Sequence, residues 1–304
     1  MRTILVTGAN GFIGRHVCRT AALRGDRVIG VGLGEWAGET WRDWGLTAWH
    51  ELEVTTANLA ASSPTPDVVV HCAGGASVPF SIEHPAEDFR STVITTLEVL
   101  EYLRTCAPNA ALVYPSSGAV YGRATATPIG EESGLAPISP YGFHKMITED
   151  LCRSYGQSFG IRTAIVRIFS AYGTELRKQL LWDACRKADL GDAHFAGTGR
   201  ETRDWVHVED VARLLLIAAD HADTGAVTVN CATGQDVAVE SILAVLFEAL
   251  GTGLRPEFTG SRRSGDPERV AGDPARAGTW GWAPDRSWQE GVREYARWFR
   301  ENSG

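Results

Sequence analysis

Tyr141 and Lys145 are the residues of this chain whose types and spacing most directly suggest chemistry. They stand four apart in Ser139-Pro140-Tyr141-Gly142-Phe143-His144-Lys145. On a helix, that spacing puts both side chains on one face, about one turn from each other. An ammonium beside a phenol favours the phenolate and would draw the tyrosine pKa down from about 10 toward neutrality. Such a tyrosine can take a proton from a carbinol or return one to a carbonyl. Solvated helix faces carry the same spacing by chance, so the pair gains meaning only beside a second motif.

The second motif opens the chain, in Arg2-Thr3-Ile4-Leu5-Val6-Thr7-Gly8-Ala9-Asn10-Gly11-Phe12-Ile13-Gly14-Arg15. The short apolar run Ile4 to Val6 reads as a buried strand, and a helical pattern follows from Phe12 to Leu23. Between them, Gly8, Gly11 and Gly14 recur every three residues, a variant of the dinucleotide fingerprint. Glycines there let the backbone approach a pyrophosphate, while the helix N-terminus offers free N–H groups and the positive end of its dipole. Thr7 and Asn10 order this turn, by turn chemistry or by touching the cofactor.

The elements that must position these groups alternate along the chain. Strands are expected at 3–7, 27–31, 67–71, 111–115, 162–168 and 227–230, and helices at 12–24, 86–105, 141–158, 209–220, 239–250 and 287–300. The last helix begins with a capping box, Ser287 with Glu290, and carries a core-facing stripe of Trp288, Val292, Ala296 and Phe299. Alternation of this kind implies an α/β fold with a doubly wound parallel sheet and a ligand outside the strands' C-terminal ends. The Gly-, Pro- and charge-rich stretch 251–285 breaks the rhythm and is expected in a smaller, substrate-facing lobe. The expected division is a dinucleotide domain at 1–170, rejoined by 203–230, and a substrate lobe from 171–202 and 231–304.

At 304 residues and 44% hydrophobic content, the chain can bury one large core or two lobes. A formal net charge of −8 argues against non-specific nucleic-acid binding. No run approaches the ~18 apolar residues of a membrane helix, and the N-terminus lacks a signal peptide's continuous apolar core. Six scattered cysteines without a C-x-x-C suggest reduced thiols rather than disulfides or a metal site. A cytoplasmic protein with no metal and no membrane partner is the expectation.

Taken together, Thr7-Gly8-x-x-Gly11-x-x-Gly14 and Tyr141-x-x-x-Lys145 resemble the extended short-chain dehydrogenase/reductase superfamily of sugar-nucleotide epimerases, dehydratases and reductases. Further landmarks fall in that family's order. Val68-Val69-Val70-His71-Cys72-Ala73-Gly74 resembles its fourth strand and the turn against the cofactor. Val113 to Gly122 resembles its fifth strand, which ends in a catalytic serine. Arg203-Asp204-Trp205-Val206-His207-Val208-Glu209-Asp210 resembles its Arg-Asp-aromatic segment. Arg263-Ser264-Gly265-Asp266-Pro267, with Asp273 and Gly281 to Pro284, resembles its sugar-nucleotide region.

The resemblance implies a Rossmann-type sheet, a smaller C-terminal substrate-binding lobe, NAD or NADP as cofactor, and a nucleotide-diphosphate sugar as substrate. Tyr141 would exchange the hydroxyl proton, Lys145 would support it and hold the nicotinamide ribose, and Ser117 would bind the same substrate oxygen. Cofactor contacts are expected from Thr7, Gly8, Asn10, Gly11, Phe12, Ile13, Gly14, Glu53, Val54, Cys72, Ala73 and Gly74. Substrate contacts are expected from Ser117, Ser170, Arg203, Arg263 and Asp266, with the arginines clamping the diphosphate. His71, His144 and His207 are not expected to act as acids or bases. A homodimer through helices 86–105 and 141–158 is also implied.

Departures from the family narrow the chemistry. Gly118 and Ala119 stand where 4,6-dehydratases carry an Asp-Glu pair, which disfavours elimination. Gly32 stands where an acid usually binds the adenosine ribose, and Ser170 where many relatives have a substrate-binding asparagine. Reversible hydride transfer at one sugar carbon, usually C4, is what the remaining residues can do. An NAD(P)-dependent sugar-nucleotide epimerase is the leading expectation, and the Ser-Ser-x-x-Val-Tyr-Gly pattern resembles that of UDP-galactose 4-epimerases. An NADPH-dependent reductase of NDP-4-keto-6-deoxyhexoses is the alternative. A non-catalytic dinucleotide sensor is a third reading, and retention of the tyrosine, lysine and serine weighs against it.

Overall fold

Seven short, almost wholly apolar segments supply one parallel sheet. The computed structural model describes residues 1–123, 127–260 and 269–302. Its first half runs β1 (Thr3–Thr7), α1 (Phe12–Leu23), β2 (Arg27–Gly32), β3 (Ala48–Glu51), α2 (Thr56–Ser62), β4 (Val68–His71), α3 (Val78–Glu83), α4 (Pro85–Phe89), α5 (Thr95–Cys106) and β5 (Ala111–Ser117). It continues with α6 (Pro140–Phe159), β6 (Thr163–Ile168), β7 (Ser170–Tyr172), α7 (Gln179–Asp189), β8 (His194–Phe195), β9 (Thr202–Arg203), β10 (Trp205–His207), α8 (Val208–Ala218) and β11 (Val227–Cys231). The remainder is β12 (Val237–Ala238), α9 (Val239–Leu250), β13 (Glu257–Phe258), α10 (Ala275–Thr279) and α11 (Trp288–Asn302).

The strand order is β11-β6-β5-β4-β1-β2-β3, with every neighbouring pair parallel. The order reverses between β1 and β4, where Thr7 lies opposite His71. In such a sheet, that reversal opens the crevice in which ligands bind. Both faces are covered, which explains why the strands read as continuous apolar runs. Ile4, Val6, Val68 and Val70 face one buried layer with Val17, Val211 and Leu215 of α1 and α8. Leu5, Val69, Leu112 and Ile165 face the other, with Val99, Leu103 and Cys152 of α5 and α6.

A third cluster lies outside the sheet. It joins Tyr172, Leu181, Cys185 and Phe195 to Leu246 and Phe247 of α9 and to Val292, Tyr295 and Phe299 of α11. The stripe expected on the last helix is thus largely core packing: Val292, Ala296 and Phe299 are buried there. Trp282, by contrast, packs with the sheet layer and donates its indole N–H to the Asp210 carbonyl at 3.0 Å.

The expected helices are present, but 86–105 is not one regular helix. Arg90–Ile94 forms a π-helical segment between α4 and α5, a local widening that often accompanies functional sites. Short elements escaped the sequence reading: β3, α2, α3, α7 and the two- and three-residue strands. All but α7 have too few residues to show a period, and α7 buries only Leu181, Ala184, Cys185 and Ala188.

One buried ionic knot ties α6 to the sheet. Glu149 accepts from Ser116 Oγ at 2.6 Å, from Arg167 Nε at 3.0 Å and Nη2 at 2.7 Å, and from Arg153 Nη2 at 3.0 Å. Burial alone would raise the Glu149 carboxyl, but these partners hold it below the ordinary carboxylate range. A depressed native pKa gives stability above the unfolded pKa of about 4.3, lost as the pH falls below it. Glu149→Ala would strand the Arg167 guanidinium, so chemical denaturation is expected to show a loss of about 3–5 kcal/mol. A loss below about 1 kcal/mol, the range of an exposed pair, would contradict this account.

Candidate active site

The turn after β1 is built without room for side chains. Gly8 has φ +66°, and a Cβ there would lie 2.6 Å from the Ala73 nitrogen and 2.8 Å from the Cys72 carbonyl carbon. At Gly14 a Cβ would lie 2.2 Å from the Gly8 carbonyl oxygen, and at Gly11 3.0 Å from that same oxygen. The glycines therefore let the turn fold back on the segment after β4, across the sheet's switch point. Gly11 caps α1 without a side-chain hydrogen bond, and the first turn has no acidic residue. Free N–H groups and an unopposed dipole end are what an anionic pyrophosphate needs. These residues fit a dinucleotide.

Thr7 and Asn10 brace this turn. Thr7 is fully buried, with its hydroxyl 2.6 Å from His71 Nδ1 and accepting from the Ala73 N–H at 3.4 Å. Asn10 donates to the Glu35 carbonyl at 3.3 Å and accepts from Arg15 at 2.7 and 3.1 Å. Phe12 packs toward the third core cluster and Ile13 toward the sheet layer. Burial pushes His71 down to about 3 and the Cys72 thiol up to about 12. Both are therefore neutral at pH 7.

Ser117, Tyr141 and Lys145 come together at the end of β5. Ser117 is the last residue of that strand, and its hydroxyl accepts from the Ala119 N–H at 3.1 Å. Helix α6 starts at Pro140 with Ser139 as its cap, so the missing proline N–H costs nothing. The Tyr141 N–H donates to Ser81 Oγ of α3 at 3.1 Å, and Ser117 lies near enough to the Tyr141 phenol to favour its phenolate. One turn on, Lys145 is only 7% exposed and donates from Nζ to the Pro115 carbonyl at 2.9 Å. Its ammonium lies 4.9 Å from the Tyr114 ring centre and 5.9 Å from that of Tyr141.

The electrostatics correct one expectation. The Tyr141 phenol is not lowered: burial pushes it above its ordinary range, and Asp88 adds to the rise, while Ser117 only partly opposes them. Lys145 is the strongly shifted partner, brought down to about 8 by burial. One of the lysine's three donors goes to the Pro115 carbonyl, and the ammonium lies 5.9 Å from the centre of the tyrosine ring. At rest the pair is therefore a protonated tyrosine beside a lysine poised near neutrality.

The other expected residues are more scattered. Cys72 and Ala73 pack against the glycine turn, and Gly74 turns the chain away with φ +146°. Exposed Glu53 and half-buried Val54 follow β3 at the far edge of the sheet. Ser170 opens β7, which pairs with β10, and Arg203 ends β9, opposite Val237. Arg263 and Asp266 lie outside the described residues. Ser81, Pro115 and Asp88 surround Tyr141 and Lys145 but were not singled out in the sequence. Their roles come from a hydroxyl aimed at a main-chain N–H, a main-chain carbonyl, and a buried charge brought in by tertiary packing.

At the end of β2, a Cβ on Gly32 would sit 3.3 Å from both Gly8 Cα and the Trp49 ring. The Trp49 ring thus crowds the place of the missing ribose acid. No group of three or more His, Cys, Asp or Glu side chains that could hold a metal occurs among the described residues, and all six cysteines are free. No helix among them is long and apolar enough to cross a membrane. Since a Gly14 Cβ would collide with the Gly8 carbonyl, Gly14→Ala is expected to weaken dinucleotide binding at least tenfold. Calorimetric titration with NAD and NADP measures this, and unchanged affinity for both would contradict the cradle.

Comparison with known proteins bears on the family and the fold. The UDP-glucose 4-epimerase of Azospirillum brasilense is 28% identical over 322 residues, covering 98% of this chain and 92% of that protein. The structure of UDP-glucose 4-epimerase with UDP-glucose from Thermotoga maritima matches with a TM-score of 0.88 and 27% identity, covering 99% and 100% of the two chains. That of the Thermus thermophilus UDP-glucose 4-epimerase in complex with NAD matches with a TM-score of 0.87 and 27% identity, covering 99% of each chain. The profile of the NAD dependent epimerase/dehydratase family matches residues 4–232. That span runs from β1 to β11 and takes in both the glycine cradle and the Ser117–Tyr141–Lys145 group. The chain belongs to the NAD dependent epimerase/dehydratase family.

Proposed function

We propose that the protein is an NAD-dependent UDP-hexose 4-epimerase. The observation that carries the reading is a complete Ser117–Tyr141–Lys145 group with Gly118 and Ala119 directly after the serine. There is an acid/base for a hydroxyl, and no carboxylate beside Ser117 to remove a carbon-bound proton. The relatives named UDP-glucose 4-epimerase, one of them solved with NAD, support the choice of reaction and cofactor.

A bound nicotinamide would supply a reversible hydride acceptor for C4 of the sugar. Ser117 would hold the C4 oxygen. The resting Tyr141 phenol would first give up its own proton, with the Lys145 ammonium offsetting the phenolate charge, and the phenolate would then accept the proton of the C4 hydroxyl. After the 4-keto sugar has presented its other face, Tyr141 would return that proton to the oxygen. The sugar would end at the oxidation level at which it began. As the family resemblance implies, Arg203 and Arg263 would bind the diphosphate and Ser170 and Asp266 the sugar, and the cluster of α7, α9 and α11 would form the substrate-facing lobe. Exposed Phe80, Ile94, Phe143 and Ile147 on α3, the π-helical segment and α6 provide an apolar face on which two copies pair as a homodimer.

An NADPH-dependent 4-ketoreductase is the second reading, favoured by the Trp49-crowded Gly32 in place of a ribose acid. Denaturing the purified protein and weighing the released dinucleotide separates the two. Stoichiometric NAD or NADH supports the epimerase, and empty protein or NADP supports the reductase. With UDP-galactose, wild-type enzyme is expected to form UDP-glucose, and Tyr141→Phe to lose at least 100-fold in kcat, the lower range for an acid/base, while still binding cofactor. Turnover near wild type in that variant would overturn the catalytic assignment.

A further inference from the structure

Two short helices, α3 and α4, hold the start of α6 from outside, and no step of the proposed reaction uses them. Ser81 of α3 is fully buried. Its hydroxyl donates to the Val78 carbonyl of its own helix at 2.7 Å, which leaves the oxygen's lone pairs to accept the Tyr141 N–H at 3.1 Å. Further along, Asp88 of α4 is fully buried as well, with Oδ2 2.6 Å from Nδ1 of His144, about one turn after Tyr141. The Phe89 ring meets the His144 ring edge-on at 5.3 Å. The arm formed by α3 and α4 is therefore fastened to the beginning of α6 at two points.

Ser81 supplies what α6 cannot supply for itself. The first N–H groups of a helix have no partner within it. Pro140 has no N–H to satisfy, Ser139 Oγ accepts from Gly142 at 3.2 Å, and the Ser139 carbonyl accepts from Phe143 at 3.0 Å. Tyr141, between them, takes its partner from another element. On the opposite side, a Cβ on Gly142 would lie 2.7 Å from the Ala119 carbonyl oxygen, so α6 packs backbone to backbone against the turn that follows Ser117. Ser117 Oγ caps that same turn, accepting from the Ala119 N–H at 3.1 Å. The Tyr141 main chain is thus gripped between the Ser117 turn and Ser81. The arm is itself seated on the turn after β4: the Gly75 N–H donates to Thr92 Oγ1 at 3.0 Å, and a Cβ on Gly75 would lie 2.1 Å from Asp88 Oδ1.

We propose that Ser81 is a positioning residue for Tyr141: by accepting the tyrosine's main-chain N–H, it sets the start of α6 so that the phenol meets the substrate oxygen held by Ser117. The role rests on the reading of Tyr141 as the acid/base. A phenol displaced by about 1 Å loses its alignment with the reacting oxygen, an error that costs up to about 100-fold in rate. The turn after β4 is seated on the arm through Gly75, Asp88 and Thr92 rather than through Ser81, so dinucleotide binding is expected to survive loss of the hydroxyl.

Two variants separate the hydrogen bond from packing. Ser81→Ala removes the acceptor, and Ser81→Cys refills the space with a sulfur that accepts only weakly. The chain has seven tyrosines, so in protein labelled with ¹⁵N-tyrosine the Tyr141 amide can be followed by NMR, its signal identified by its absence from Tyr141→Phe. In both Ser81 variants that amide is expected to exchange with solvent about fivefold faster than in wild type, as the loss of one hydrogen bond implies. With UDP-galactose, kcat is expected to fall about tenfold or more, while KM and the Kd for NAD stay within about twofold. An unchanged Tyr141 amide, or a Ser81→Cys variant that behaves as wild type, overturns the proposal and leaves Ser81 a packing residue. Loss of NAD affinity in step with kcat overturns it as well, since that marks a general loosening of the fold. A faster amide with wild-type kcat overturns it when Tyr141→Phe is inactive. Full activity in Tyr141→Phe instead refutes the acid/base reading, and the positioning role falls with it.

Discussion

A lysine buried to 7% exposure, with its ammonium on a main-chain carbonyl and against two phenol rings, is the constraint around which this molecule is arranged. An interior cation is expensive, and folding must supply donors, acceptors and counter-charges to keep it there. Pro115 can accept its hydrogen bond because β5 brings that carbonyl to the sheet's C-terminal end. Tyr141 lies over it because α6 starts at Pro140 and puts the two side chains one turn apart. The Glu149–Arg167 knot then fastens the middle of the same helix to β5 and β6. The stability of the fold and the charge state of the site are thus settled by the same helix.

The glycine turn works by a different rule, exclusion of side chains rather than placement of them. Gly8 and Gly14 bring backbone to backbone between β1, α1 and the turn after β4, leaving bare N–H groups at the helix start. The first helix is also tied to the far side of the molecule. Arg15, one residue after Gly14, pairs with Glu175 at 2.7 Å, and the Trp298 indole of α11 donates to the same carboxylate at 3.2 Å. Glu175 holds φ at +71°, an uncommon conformation for a non-glycine residue. A residue in this uncommon conformation thus grips both the turn's helix and the last helix.

Much of this was readable in the amino-acid sequence because the chemistry is local. Tyr141 and Lys145 lie on one helix, and the three glycines occupy one turn, so spacing alone conveys their geometry. The apolar strands β1, β4 and β5 are legible for a related reason, since burial on both faces leaves no polar interruption. What spacing could not convey depends on contacts between distant segments. The direction of the Tyr141 shift is one case: sequence supplies the neighbouring ammonium, but burial and Asp88, 53 positions away, reverse the outcome. Gly32 is another, for its meaning rests on Trp49 crossing from β3. Short elements such as β3 and α2 carry too little periodicity to be seen.

In the proposed reaction, the proton of the sugar hydroxyl would pass through Tyr141 while the hydrogen on carbon never meets solvent. Turnover of UDP-galactose in D₂O, with the product examined by NMR and mass spectrometry, tests this most directly. The account predicts UDP-glucose with protium retained at C4, because the hydride is returned within the site. Deuterium at C4 would mean that a carbon-bound proton is removed and replaced from solvent, and would contradict it.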